Sequence, residues 1–365
     1  MEDALKSSKM IASDRTENPT KVEVRTFETL DGLRGAAAII VMIWHIRVWQ
    51  PLPSAYLAVD LFFMLSGFVI AYRYDTRLSS SLSTTKFMTM RVIRLYPLYL
   101  LGTLIGAGWA LARSFVGEMN GQLSNWTINL ALGLAMLPKL LSLSSVYPFN
   151  APAWSLFYEI VVNGIYARFA KWSSDQTLGI VAALSAVSLV IMSLSKGDLH
   201  FTAMMPWFIY ASVRAVFGFV LGILIFRWRI AGRLPSWSMH PVFVILLLVL
   251  LLACPGEGPI AAYLAPGIVI AGFPIVLILG INSHASPSVA RLMNWLGLLS
   301  FPLYAIHDPI WSVISDSAHK MHVSQAVAAI VAIPIIFICA WIASEFFDKP
   351  VRAVLTSYTR KSATR

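Results

Sequence analysis

Apolar residues come in long blocks along this chain, divided by short polar stretches. A helix needs about 20 apolar residues to cross the hydrocarbon core of a bilayer, with a range of ~17–25. Blocks of that kind occupy 33–49, 55–72, 95–112, 126–141, 154–170, 178–194, 208–228, 240–254, 261–281, 297–315 and 323–347. The pattern predicts an all-α, polytopic membrane helical bundle. One block stands apart: 126–141 (WTINLALGLAMLPKLL) is short, carries Gly133 and ends at Pro138 and Lys139. We read it as a non-spanning segment, re-entrant or interfacial, which leaves about ten transmembrane helices.

Charge supports that count and orients it. The N-terminal and C-terminal stretches are both basic, and Lys and Arg collect on the cytoplasmic side of membrane helices. Both termini are therefore expected in the cytoplasm, which requires an even number of crossings. On the ten-helix reading 21 Lys and Arg fall on the cytoplasmic side and five outside, with Arg34 and Arg214 within helices. The expected organisation is a flexible cytoplasmic tail at 1–27, a membrane domain at 28–347 and a basic cytoplasmic tail at 348–365. The first 25 or so residues lack the apolar core of a cleavable signal peptide. Residues 79–85 (SSSLSTT) read as a loop, followed by a basic interfacial helix that leads into the third crossing.

Composition excludes several classes. With 58% hydrophobic and 13% charged residues, the chain is far too apolar for a soluble domain of its length. The net charge of +10 sits between apolar blocks instead of forming a basic stripe with interleaved aromatics, so nucleic acid is not an expected partner. Cys254 and Cys339 give neither a metal spacing nor a disulfide framework, and no metal is expected. No internal repeat is visible, which weakens a transporter reading.

Ionisable side chains inside a span are costly, so each calls for a partner or a function. Arg34 and His45 lie eleven residues apart on the first span, three turns with about 20° left over, so they face the same way about 16 Å apart. With the N-terminus inside, Arg34 sits at the cytoplasmic end and His45 toward the outer face. Asp60 falls near the outer end of the second span, and Glu159 about one turn below the outer surface on the fourth true crossing. Arg214 lies in the outer half of the sixth, with His307 and Asp308 in that of the ninth. Snorkelling of Arg34, packing of His45 and a buried salt-bridge network would account for these residues structurally. The sharper reading is a polar cavity where a proton moves, with histidine titrating near neutral pH and carboxylates orienting it. On the cytoplasmic side Arg91 and Arg94, three residues apart, share a helix face near the level of Arg34. Three arginines around one entrance suit a phosphorylated ligand, although the positive-inside bias alone also places arginines there.

Taken in order, LDGLRG with the Arg34-to-His45 spacing, VDLFFMLSGFVI, RVIRLYPLY, AWSLFYEI, VRAVFGFVLG and SFPLYAIHDPI resemble the acyltransferase 3 family of membrane acyltransferases. The resemblance covers roughly residues 28–347. It implies a bundle of about ten helices that transfers an acyl group, most often acetyl, from acyl-coenzyme A to a hydroxyl, usually on a carbohydrate such as an exopolysaccharide or O-antigen. It implies a bacterial inner-membrane setting, and it maps Arg34 and His45 to the R-x10-H motif and Arg91 and Arg94 to the R-x-x-R motif. The chain ends about 18 residues after its last span, so transfer is expected to be completed in the membrane domain.

The residues point to a phosphorylated ligand at the arginines and proton transfer at the histidine, and the resemblance implies acetyl-coenzyme A as donor and a glycoconjugate as acceptor. Arg34, Arg91 and Arg94 would hold the donor phosphates while the pantetheine arm threads between helices. His45 would act as general base on the acceptor hydroxyl, oriented by Asp60 or Glu159, with Arg214 or His307 at the oxyanion. Rivals are an acylated His45, a proton-coupled transporter or flippase, and a non-catalytic scaffold.

Overall fold

A computed structural model of the chain describes residues 27–115, 123–140, 145–200 and 204–362. The expected tail at 1–27 lies outside them except for Phe27. The described residues form helices: α1 (Glu28–Ile46), α2 (Ala58–Ser80, entered through a 3-10 turn at Ala55–Leu57), α3 (Thr84–Phe115), α4 (Leu123–Leu134), α5 (Ala153–Phe169), α6 (Asp175–Lys196), α7 (Trp207–Ile230), α8 (Pro241–Leu252), α9 (Ala261–Asn282), α10 (Pro287–Lys320), α11 (Gln325–Ile342) and α12 (Lys349–Ser362). Eight helices are long and apolar enough to cross a bilayer: α1, α2, α3, α6, α7, α9, α10 and α11 with its extension. The protein is thus a multi-pass membrane bundle.

Two other expected crossings, 154–170 and 240–254, are the shorter helices α5 and α8, of 17 and 12 residues. At 1.5 Å per residue they reach about 25 and about 18 Å, short of the ~30 Å core. The segment at 126–141 is α4, of 12 residues. It ends where Met136 turns left-handed (φ 58°) ahead of Pro138, and tyrosines bind the carbonyls freed there. Tyr99 Oη donates to Gly133 O (2.5 Å), Tyr96 Oη to Leu134 O (2.6 Å) and Tyr147 Oη to Met136 O (3.1 Å). The basic interfacial helix and the third crossing prove to be one continuous helix, α3, with Pro97 inside it. The stretch at 348–365 is helical as far as Ser362.

Lipid faces and protein faces separate as apolar solvent demands. On α6 and α11, Leu184, Ile191, Ile330 and Ile338 are exposed, the outward surface of peripheral helices. Centrally, α1 packs on α10 and α2 on α7. Small residues permit the second contact, through the Gly218-x-x-x-Gly222 pair of α7. A Cβ at Gly222 would lie 2.1 Å from the Met64 carbonyl oxygen. At the other end of this helix pair, Arg227 ties α7 to α2 and α6 by bonding Asp75 (2.9 Å to each oxygen) and Asp175 (3.2 Å).

Candidate active site

His45 occupies the last turn of α1, which ends where Arg47 turns left-handed (φ 57°) before Pro51 and Pro53. The helix faces α10 at close range, since a Cβ at Gly35 would lie 2.6 Å from the Leu296 carbonyl oxygen. That approach brings His307 of α10 to His45, with Nε2 of His307 3.3 Å from Nδ1 of His45 and ring centroids 4.9 Å apart.

Backbone carbonyls decide which ring nitrogens carry protons. Nδ1 of His307 lies 2.9 Å from Tyr304 O and 3.1 Å from Leu303 O, and carbonyls only accept, so this nitrogen holds its hydrogen. Its Nε2 is then a lone-pair acceptor. Nδ1 of His45 lies 2.9 Å from Val41 O and donates by the same logic, its N–H shared between Val41 O and His307 Nε2. The outcome leaves the lone pair of His45 on Nε2, directed away from both partners. His45 is half-buried while His307 is 1% exposed, so His45 is the more accessible ring of the pair.

The carboxylates go elsewhere. Asp60 is 0% exposed and bound through both oxygens by Arg214, at 3.0 Å (Nε) and 2.6 Å (Nη2), while Arg214 Nη2 also donates to Tyr56 O at 3.0 Å. This ion pair joins α2 to α7, and among the described residues no hydrogen bond runs from Asp60 to His45. Glu159 also lies apart from His45, and its expected depth is corrected. It pairs with Arg91 at 2.8 Å, on the arginine side of the bundle. The reason is that α5 begins inside the protein: Asn150 is 3% exposed, and the Ala151 N–H donates to Asp308 Oδ2 at 3.1 Å. Eight residues further on, Glu159 is about 12 Å below that level. Ser66 Oγ (2.5 Å) and Asn163 Nδ2 (2.9 Å) join Arg91 on the same oxygen, Oε1.

Arg34, Arg91 and Arg94 do meet. They line one cavity of about 340 Å³, together with Arg73, Lys349 and Arg352. Its apolar walls include Phe62, Phe63 and Phe301, and it also reaches Ser155 and Tyr304. Tyr304 Oη is 2.6 Å from Ser155 Oγ, and its ring lies 5.4 Å from Phe62 and 5.8 Å from His307. The cavity thus leads from a cationic mouth to one ring's distance from the histidine pair.

Sequence reasoning missed three of the cavity's cations. Lys349 and Arg352 sit at i, i+3 spacing on α12, a signal hidden by treating that stretch as a tail, and Arg73 sits just inside the end of α2. It also set His200 aside as an ordinary interfacial residue. His200 is half-buried, its ring centroid 5.1 Å from Trp44 and 5.0 Å from Tyr56. Its Nε2 is buried without a hydrogen-bond partner.

Comparison with known proteins gives this geometry a context. The chain is 36% identical over 178 residues to protein 2 in the picA locus of Rhizobium radiobacter, covering 45% of this chain and 93% of the relative. It is 24% identical over 371 residues to the putative peptidoglycan O-acetyltransferase YrhL of Bacillus subtilis, covering 88% of this chain but 54% of that protein. It is 24% identical over 276 residues to the exopolysaccharide production protein ExoZ of Rhizobium meliloti, covering 71% of this chain and 76% of the relative. The chain therefore spans only about half the length of the Bacillus relative. No solved structure matches. A family model described as an acyltransferase domain matches residues 27–345, from α1 through α11 into the π-helical turn that follows it, and by that match the chain belongs to the acyltransferase 3 family.

Proposed function

We propose that the protein is an O-acyltransferase of a bacterial inner membrane, carrying an acyl group, acetyl by preference, from acyl-coenzyme A in the cytoplasm to a hydroxyl of a carbohydrate beyond the membrane. Both termini lie in the cytoplasm on this reading, with Arg34 at the inner end of α1 and His45 at the outer end. One observation carries the proposal: a cavity with Arg34, Arg91 and Arg94 at its mouth reaches Tyr304, which packs against the His307–His45 pair. Arginine forks suit the donor phosphates. The apolar throat suits a pantetheine arm, and the about 16 Å rise from Arg34 to His45 suits its length. A surface polysaccharide or peptidoglycan as acceptor is supported by the names of the relatives that act on such polymers or their production.

The chemistry follows from the tautomers. The acceptor hydroxyl donates its proton to Nε2 of His45 as its oxygen attacks the thioester carbonyl. The resulting imidazolium keeps its Nδ1 proton shared with His307 Nε2, so a neutral imidazole stabilises the charge. Collapse of the tetrahedral intermediate expels the coenzyme A thiolate, which takes the proton back from Nε2, leaving an ester and a free thiol. General base assistance of this kind is worth ~10²–10⁴ in rate. Asp60 and Arg214, engaged with each other, serve as structure. Glu159 serves the donor site through Arg91.

The test is acyl transfer from labelled acetyl-coenzyme A by purified protein in lipid, wild type beside His45→Ala. Turnover in the wild type that is lost in a folded His45→Ala supports the assignment. Equal turnover in both removes His45 from the mechanism. No turnover from the wild type, with glycan movement across the vesicle wall instead, replaces the enzyme by a transporter.

A further inference from the structure

We propose that the first turn of α12, with Arg73 of α2, forms a clamp for the 3′-phosphate of the donor's ribose, so that the protein selects coenzyme A itself over shorter pantetheine carriers. The inference rests on the donor reading above and adds residues and a selectivity to it.

The backbone prepares the clamp. Between α11 and α12 the chain continues through a π-helical stretch, Ala343–Asp348, without leaving the helix axis. Such wide turns re-aim the side chains that follow them, and they gather at functional sites. Here they bring Ser344, Asp348, Lys349 and Arg352 to the cavity wall, opposite Arg73. Asp348 is 4% exposed and accepts from Arg352 Nη1 at 2.9 Å, which fixes the guanidinium at the mouth. The other oxygen of Asp348 is buried without a partner, and so is Nε of Arg91.

Charge then asks for an anion. Six cations line the cavity (Arg34, Arg73, Arg91, Arg94, Lys349 and Arg352), and four of them pair with carboxylates, Arg34 with Asp31, Arg91 with Glu159, Lys349 with Glu345 and Arg352 with Asp348, which leaves an excess of two positive charges. Among the described residues neither Arg73 nor Arg94 forms an ion pair, and Arg94 feels Arg91, Arg34, Arg352 and Arg73 at once. Collecting like charges in a half-buried mouth is unfavourable without a counter-charge. A diphosphate alone brings about two negative charges, and a phosphate monoester adds ~1.5–2 near neutral pH. Coenzyme A, which carries both, offers one anionic group to the half-buried Arg94 and a second to the exposed Arg73 and the α12 turn beside it. A pantetheine phosphate, with a single monoester, can serve only one of the two. Position agrees with this division. Arg73 lies seven residues, about 10 Å, beyond Ser66, the residue of α2 that bonds Glu159. The outer rim of the mouth is thus where the end of coenzyme A farthest from the thiol would lie.

The experiment measures equilibrium binding of coenzyme A and of 3′-dephospho-coenzyme A to the full chain in lipid nanodiscs. The wild type should bind coenzyme A about tenfold tighter than the dephospho form, the scale of a charge-assisted hydrogen bond. Lys349→Gln/Arg352→Gln should bring that ratio close to one, with the larger loss falling on coenzyme A. Because Arg352→Gln strands a buried carboxylate, Arg73→Gln is the safer companion: Arg73 is exposed and unpaired, and its loss should lower the ratio severalfold without touching the fold. Arg168→Gln, a cation away from the cavity, should keep the ratio. A wild-type ratio of one, or a ratio that survives both α12 and Arg73 variants, overturns the clamp while leaving coenzyme A as donor. Failure of the wild type to bind either nucleotide overturns the donor reading and the clamp with it.

Discussion

Nε2 of His307 stands 3.3 Å from Nδ1 of His45, across the interface between α1 and α10. An acceptor in that position would ordinarily be a carboxylate. Here it is a neutral imidazole whose own proton is committed to the carbonyls of Leu303 and Tyr304. On the proposed mechanism His307 acts through His45 as a positioning residue.

Replacing His307 by Ala should lower kcat by ~10- to 150-fold, the worth of a hydrogen bond to a group that becomes charged. KM for the donor should stay within a few fold. His307→Gln, which keeps an acceptor oxygen, should recover part of kcat, and steady-state kinetics on the three proteins decides the matter. Equal losses in both variants would mean that His307 fills space only.

The Asp60–Arg214 pair should behave as structure. Asp60→Asn or Arg214→Met leaves one buried charge alone, at a cost of ~3–5 kcal/mol. Thermal unfolding in detergent should show both single variants strongly destabilised and Asp60→Leu/Arg214→Met recovering most of the loss. A stable Asp60→Asn with abolished kcat would place Asp60 in the chemistry instead.

Glu159 gives the opposite contrast. Glu159→Gln frees the Arg91 guanidinium from its fixed direction, so KM for acetyl-coenzyme A should rise about tenfold, the scale of a charge-assisted hydrogen bond. The accompanying change in kcat should be small. A fall in kcat at constant KM would restore Glu159 to the side of the histidines.

Acid should weaken the protein through His200, in the loop between α6 and α7. Burial first, then the cations Arg214, Lys196 and Arg47, push its imidazole down to about 4, against an opposing pull from Asp198. An unfolded chain takes that proton near pH ~6.5. The folded state therefore keeps the full contribution of His200 above that pH and loses it as the pH falls from there toward 4. The apparent Tm of the wild type should drop between pH 7.5 and 5, and His200→Gln should drop less. An identical fall in both proteins would assign the acid sensitivity to other groups.

What could be read from the chain beforehand was what lies within one helix. The shared face of Arg34 and His45 follows from helical geometry alone, and the short α4 follows from Gly133 and Pro138. Relations between helices were hidden, because they depend on where each helix starts and how it is registered against another. Glu159 was placed at the wrong depth because nothing in AWSLFYEI shows that α5 begins well inside the protein. His307 could not be matched to His45 because their meeting depends on the approach at Gly35, on helices some 260 positions apart. Arg352 escaped notice because a basic stretch after the last span looks the same whether or not its side chains line a cavity.

Phe62 and Tyr304, with ring centroids 5.4 Å apart, close the inner end of the cavity just short of His307. A cell that stores energy as an ion gradient cannot tolerate a permanently wet bore through its membrane. On the proposed function the ring layer would have to insulate electrically as well as wall off the cavity. On the proposed orientation it must part for a thioester and reseal behind it, so that any current the protein passes should be tied to turnover, one brief opening for each group delivered.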